Sequence, residues 1–134
     1  MSDLLLEIVT PTQKVFSGTV KSVVAPGSQG YFGILQRHAP LLSTLAIGEI
    51  RARVDDRDKK IFATSEGFLE VSSNKITIIA EAVEEANAID VDRAEAARHR
   101  AEKRIAEGRE KWDIARAQAA LSRAINRLHV VGKN

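Results

Sequence analysis

The sequence predicts a mainly β chain with a helical tail: an N-terminal antiparallel β-sandwich over residues 1–88, then an antiparallel two-helix hairpin over residues 89–134. Two observations carry that expectation. Up to about Val83, short apolar and β-branched runs are separated by turn residues, with no helical period between them. From Asp90 onward the residues are good helix formers, without proline and with Gly108 the sole glycine before Gly132. Strands that follow one another without intervening helices imply a sandwich or flattened barrel. At 134 residues the chain suits one modest core with an appendage rather than two full domains.

The elements can be justified in order. Leu4–Val9, LLLEIV, reads as a first strand ending at Thr10-Pro11, and residues 15–26, VFSGTVKSVVAP, are rich in β-branched residues. Residues 49–54, EIRARV, alternate apolar and polar positions as a half-buried strand does. Residues 55–60, DDRDKK, read as a charged hairpin loop leading into IFAT. Residues 68–83 hold two strands joined at Ser72-Ser73-Asn74-Lys75. Gly27, Gly30 and Gly33 recur every three residues, a spacing that invites comparison with a phosphate loop. Such a loop joins a strand to a helix and is normally followed by Lys-Ser/Thr. Here the glycines run into YFGIL and then Pro40, so tight turns and close backbone approach explain them better.

Ile89 and Asp90 then stand as an apolar residue and a cap before VDRAEAARHRAEKRIAE. Ala94, Ala97, Ala101 and Ile105 share one helical face; Ile114, Ala117, Leu121, Ala124 or Ile125, and Leu128 share another. Gly108 separates arms of about 17 and 20 residues, about 25 and 30 Å long at helical rise, folded back as a hairpin. A buried methyl contributes only about 0.8 kcal/mol, against about 1.5–3 kcal/mol for a buried Leu or Ile. An alanine seam is therefore marginal, and a marginal hairpin can be switched by a ligand.

Composition excludes several kinds of chemistry. With no cysteine there is neither disulfide framework nor thiolate chemistry, which fits a reducing compartment. No apolar run approaches the length of a membrane span and no N-terminal signal pattern is visible, so a soluble intracellular protein is expected. His38, His99 and His129 show no HxxxH or Cys/His spacing, and no GxSxG is present, so a metal centre or a hydrolase triad has no support. Residues 1–88 carry 9 Lys+Arg against 11 Asp+Glu, and residues 89–134 carry 11 against 7, so the net charge of +2 divides into −2 and +4. An anionic partner for the tail follows from that asymmetry. Nucleic acid does not fit, because the tail has Trp112 as its one aromatic residue.

Most tail cations have a carboxylate at helical spacing. Arg98 has Glu95 and Glu102, Lys103, Arg104 and Lys111 have Glu107, and Arg109 and Arg116 have Asp113. Arg93, Arg100, Arg123 and Arg127 have none, apart from the cap Asp90 near Arg93. An antiparallel hairpin would bring the second pair back beside the first. Four guanidinium groups so placed suit a polyphosphate, through charge-assisted and often bidentate hydrogen bonds. Exposed arginines with no ligand, or arginines meeting acidic groups of another chain, are the plainer alternatives.

Two stretches resemble the epsilon subunit of bacterial F-type ATP synthases. Gly30, Phe32, Gly33, Ile34, Leu35, His38, Ala39, Pro40, Leu41 and Leu42 match the family's GxFGILxxHAPLL signature. Ile89-Asp90-x-x-Arg93-Ala94 is similar to the IDxxRA nucleotide-binding motif of its ATP-sensing members. The resemblance implies a sandwich of about ten strands and two helices in a non-catalytic central-stalk subunit of a proton-translocating synthase. The sandwich would bind the gamma subunit and the c-ring, with Tyr31 and His38 as rotor contacts by motif position. The hairpin would be a brake, extending among the catalytic alpha and beta subunits to suppress ATP hydrolysis, and reaching about 60 Å as one rod. Regulatory ATP, with or without Mg2+, would hold the compact form through Glu84, Asp90, Arg93, Arg100, Arg123 and Arg127. The resemblance also implies a peripheral place on the cytoplasmic face of the bacterial membrane, reached only through the complex. A free-standing ATP-sensing or anion-binding module is the other reading.

Overall fold

A computed structural model gives the fold and describes residues 3–133. Ten strands come first: β1 (Leu4–Val9), β2 (Lys14–Val20), β3 (Ser22–Gly27), β4 (Gly30–Ile34), β5 (Leu41–Leu45), β6 (Gly48–Arg53), β7 (Lys59–Thr64), β8 (Gly67–Ser72), β9 (Lys75–Ala80) and β10 (Val83–Glu85). A single 3-10 turn, Ala86–Ala88, leads to helices α1 (Val91–Glu107) and α2 (Ile114–Val130). The strands pair in the order β10-β7-β6-β3-β5-β8-β9-β1-β2, with β4 paired to β3.

That path folds over itself. Phe16 of β2 meets Phe62 of β7 edge to face at 6.0 Å between ring centres, although these strands lie near opposite ends of the pairing order. The inward residues of nearly every strand share one apolar cluster, including Leu6, Ile8, Val23, Ile34, Ile50, Leu69, Ile76 and Ile78, all buried. The observed sheet is antiparallel except where β1 lies parallel to β9, a departure from the purely antiparallel expectation. Strand pairing between distant segments is not a property of either segment's own pattern, so periodicity could not reveal it. The β8–β9 turn is legible locally: Ser73 and Asn74 both take positive φ, 51° and 61°, as a two-residue hairpin turn of this twist requires.

Strand β7 breaks the alternation. Ile61, Phe62, Ala63 and Thr64 are all buried, because Phe62 faces the main core while Ile61 and Ala63 face outward into a second cluster with Ala86, Ile89 and Val130. A strand reads as a continuous apolar run when both of its faces are covered. Here the second cover is α2, which packs on β6 and β7, whereas α1 packs chiefly on α2.

The helices meet through Ala94 and Ala101 of α1 and Ala117 and Ala124 of α2, all buried. Ala124 rather than Ile125 belongs to the seam, for Ile125 is exposed. Asp90 caps α1 by accepting from Arg93 N at 3.1 Å. Asp113 is likewise a cap, accepting from Arg116 N at 3.2 Å. It starts α2 there, so the second arm has 17 residues rather than the expected 20 or so.

Between the arms, Gly108 takes φ 91°, a value unfavourable for residues with a Cβ. Trp112 Nε1 donates to Glu107 Oε1 at 2.8 Å, and the Arg104 guanidinium lies 4.5 Å from the indole centre. Arg104 thus stacks on Trp112 instead of pairing with Glu107, while Lys111 does pair with Glu107 at 3.2 Å. The indole N–H, then the Lys111 ammonium, holds the Glu107 carboxyl below its ordinary value of 4.5.

Two outcomes follow for the hairpin. Since the folded Glu107 is the stronger acid, its pairing stabilises the turn above its ordinary value of 4.5 and is lost as pH falls through the lowered value. Emission from Trp112, the chain's one tryptophan, should shift in that acid range, and Glu107→Gln should remove the step. Val130→Asp would put an unpaired charge into the outer cluster. Hydrogen exchange should then show both helices losing protection while β1 to β9 keep theirs; loss across the sheet as well would mean that the hairpin is part of the sandwich's own stability.

Candidate functional site

The hairpin, the end of the sheet and the β1–β2 turn enclose a cleft of about 370 Å³, within the size range of small-molecule sites. Arg93, Ala94, Ala97 and Arg100 of α1 form one side, with Arg127 from α2 and Asp90 at the start of α1. Residues 81–84 and the turn residues Thr10, Thr12 and Gln13 complete the lining. Five of the six residues singled out for a nucleotide therefore share this cleft: Glu84, Asp90, Arg93, Arg100 and Arg127.

Arg123 is the exception. Its guanidinium is 3.6 Å from Glu66, and it lines a small adjoining cavity with Ala63, Thr64 and Ser65. Arg127 does line the cleft, yet its Nε donates to Glu84 Oε1 at 2.6 Å. The expectation of four arginines without an internal partner is thus corrected for Arg123 and Arg127. Their partners lie on the sandwich, and a search along one helix at three- and four-residue spacing cannot see them. Arg93 and Arg100 remain exposed and without a carboxylate partner among the described residues. Asp90 is occupied as a cap and Glu84 by Arg127, and Glu81 lines the cleft as a third carboxylate, so Arg93 and Arg100 share the lining with acidic groups but pair with none of them.

The dock beside the cleft is polar at its rim. Asn126 Nδ2 donates to Gly48 O at 2.8 Å, and Lys133 Nζ lies 3.3 Å from Glu49. Sequence reasoning missed these residues, along with Thr10, Thr12, Gln13 and Glu81. Thr10-Pro11 signalled only a strand end, and nothing local placed that turn opposite the helices.

Tyr31 and His38 lie away from the cleft. The Tyr31 hydroxyl accepts from Glu49 N at 3.0 Å, and its ring lies under Arg51, 5.7 Å from the guanidinium carbon. A Cβ at Gly48 would fall 2.7 Å from both the Tyr31 oxygen and Pro26 Cβ, so Tyr31 clamps β4 over the start of β6. His38 sits in the β4–β5 loop, where its Nδ1 donates to Ala39 O at 2.7 Å. That loop is pinned to the β8–β9 turn by Arg37 N donating to Asn74 Oδ1 at 2.6 Å. Among the described residues no group of three metal-ligating side chains converges, and no helix is long and apolar enough to cross a membrane.

Comparison with known proteins matches both parts of the chain. The profile described as ATP synthase, Delta/Epsilon chain, beta-sandwich domain matches residues 3–86, and the one described as ATP synthase, Delta/Epsilon chain, long alpha-helix domain matches residues 87–132. A protein of Nitratidesulfovibrio vulgaris named ATP synthase epsilon chain is 51% identical over 129 residues, covering 96% of each chain. One of the same name from Syntrophobacter fumaroxidans is 51% identical over 128 residues, covering 96% of this chain and 95% of its own. Another, from Moorella thermoacetica, is 44% identical over 132 residues and 98% of each chain. The fold is similar to a chain in a cryo-EM structure of the Euglena gracilis mitochondrial ATP synthase, OSCP/F1/c-ring, with a TM-score of 0.81 at 17% identity, covering 95% of this chain and 80% of that one.

The Arg127–Glu84 contact gives a measurable expectation. Both side chains are partly exposed, 26% and 38%, so solvent screening limits their coupling to about 0.2–1 kcal/mol. A double-mutant cycle with Arg127→Ala and Glu84→Ala, read by hydrogen exchange of the α2 amides, should return a coupling in that range. A coupling of several kcal/mol would show that the pair behaves as a buried one.

Proposed function

This chain belongs to the ATP synthase delta/epsilon family, as a non-catalytic epsilon subunit of an F-type synthase in its central stalk, and from that premise we propose that its hairpin is an ATP-stabilised brake. In the compact state, ATP occupies the cleft and its phosphates meet Arg93, Arg100 and Arg127. The ligand is ATP with or without Mg2+, an ion whose oxygen ligands the phosphates would supply. Glu84 and Asp90 orient the remainder of the ligand, and Arg123 joins only by leaving Glu66. The observation that carries this reading is the pair of exposed arginines on α1, without a carboxylate partner among the described residues, sharing a cleft with Arg127.

When ATP falls, the arginines lose the anion between them and the alanine seam no longer suffices. The hairpin then opens and extends among the alpha and beta subunits, where its basic surface meets acidic ones and ATP hydrolysis is suppressed. The sandwich remains on the gamma subunit and the c-ring, coupling rotation to proton flow. The subunit would thus sit at the cytoplasmic face of a bacterial membrane, held there by the complex alone.

Calorimetric titration of the chain with ATP should show saturable binding that the Arg93→Ala, Arg100→Ala double variant loses by about a hundredfold or more, since each charged hydrogen bond contributes about 1.5–3 kcal/mol. Binding unaffected by the two substitutions would remove the nucleotide from this cleft. No binding to the unaltered chain would leave the family intact and assign the arginines to the extended state.

A further inference from the structure

Next to the dock of α2, the outer face of the sheet carries a second group of unpaired cations. Ile61 of β7 faces outward into the cluster with Val130, so Lys59, two residues before it, shares that face. The register sets Arg53 of β6 opposite Lys59, and Ser22 of β3 opposite Arg53. Ser22, Arg53 and Lys59 therefore form one row across three strands. In the adjoining row Val24, Arg51 and Ile61 stand side by side.

Like charges directly opposite one another across strands destabilise a sheet, yet Arg53 and Lys59 are so placed. Neither makes an ion pair among the described residues, and the Ser22 hydroxyl has no hydrogen-bond partner among them. Arg51 lies over the Tyr31 ring rather than against a carboxylate. The β6–β7 loop adds Arg57 and three aspartates. Of these, Asp55 is folded back onto its own loop, accepting from Arg57 N and Asp58 N, both at 2.8 Å.

These residues line a cleft of about 400 Å³ that shares no residue with the arginine cleft of the hairpin. The row presents two charged donors and a hydroxyl. A phosphate group carries close to two negative charges and three strong acceptor oxygens, which such a row can meet through charge-assisted hydrogen bonds. Asp56 and Asp58 also border the cleft; they oppose a broad anionic surface more than a small ligand entering between them. We propose that the outer face of β3, β6 and β7 binds a small free phosphate compound, inorganic phosphate or pyrophosphate, with Ser22, Arg53 and Lys59 holding its oxygens. This site is independent of the nucleotide reading of the hairpin cleft.

The test is amide NMR of the full chain carrying Arg93→Ala and Arg100→Ala, which takes those two arginines out of the competition, titrated with inorganic pyrophosphate. The amides of Ser22, Arg53 and Lys59 should shift saturably. Adding Arg53→Gln and Lys59→Gln, both at exposed positions, should weaken the affinity about tenfold or more. Neutralising Lys103 and Arg109, exposed near the hairpin turn, should change it by less than about twofold. An equal loss from that control pair, or no saturable shift along the row, overturns the inference. Vesicles of phosphatidylglycerol and phosphatidylcholine supply the other arm. Cosedimentation that Arg53→Gln and Lys59→Gln abolish, and that pyrophosphate fails to compete away, would give the row to a lipid headgroup and overturn the free-phosphate site.

Discussion

The compact arrangement depends on one apolar contact, Val130 of α2 seated on Ile61 and Ala63 of β7 with Ala86 and Ile89 beside it. Without α2 the sandwich is complete on its inner side, where Phe62 and its neighbours form the main core. Its outer face at β7 is not complete. Undocking returns these five residues to water, at about 1.5–3 kcal/mol for a fully buried valine alone. An undocked hairpin therefore needs another surface to cover Val130, and β7 is left with an apolar strip that soluble proteins seldom expose without a partner.

Around this contact the polar links are individually weak. Partly exposed ion pairs such as Arg127–Glu84 and Lys133–Glu49 lie in a range where solvent screening leaves little net stability. Their arrangement still matters for a ligand. Glu84 already neutralises Arg127, so an anion entering the cleft must share that guanidinium with a carboxylate, while Arg93 and Arg100 stand free of one. Affinity in the proposed role is then set by α1, and Glu84 moderates it. A ligand at 100 times its dissociation constant adds about 2.7 kcal/mol to the form it binds, comparable with the valine contact itself.

The sequence made the two-part organisation, the β8–β9 turn, the Asp90 cap and the alanine seam legible, because each is written in local composition or in spacing along one element. The parallel pairing of β1 with β9 was not legible, since it joins residues separated by most of the sandwich. The same limit applied to the site. Arg93 and Arg100 stood out by lacking a carboxylate on their own helix, and the structure leaves them so. Arg123 and Arg127 met the same criterion but find Glu66 and Glu84 across the dock. Asp113 erred in the other direction: its helical spacing from Arg109 and Arg116 suggested ion pairing, whereas a carboxylate just before a helix caps it. The absence of alternation in IFAT was the one local sign that β7 carries a second layer.

The two helices consequently hold unequal positions. In α2, Ala117 and Ala124 serve the seam while Val130, Asn126 and Arg127 serve the sandwich, so this helix has two anchorages. The buried residues of α1 are Ala94 and Ala101, whose methyl groups contribute about 0.8 kcal/mol each. Beside them Ala97 and Ile105 are half-buried, and much of the rest is charged, with Arg98 bridging Glu95 and Glu102 along the same helix, pairs that need no partner outside α1. Little in the chain itself then prefers α1 folded back to α1 released. The balance falls to the clasp of Trp112 on Glu107 at one end and to whatever anion Arg93 and Arg100 meet at the other, which makes α1 the arm whose position a ligand is able to decide.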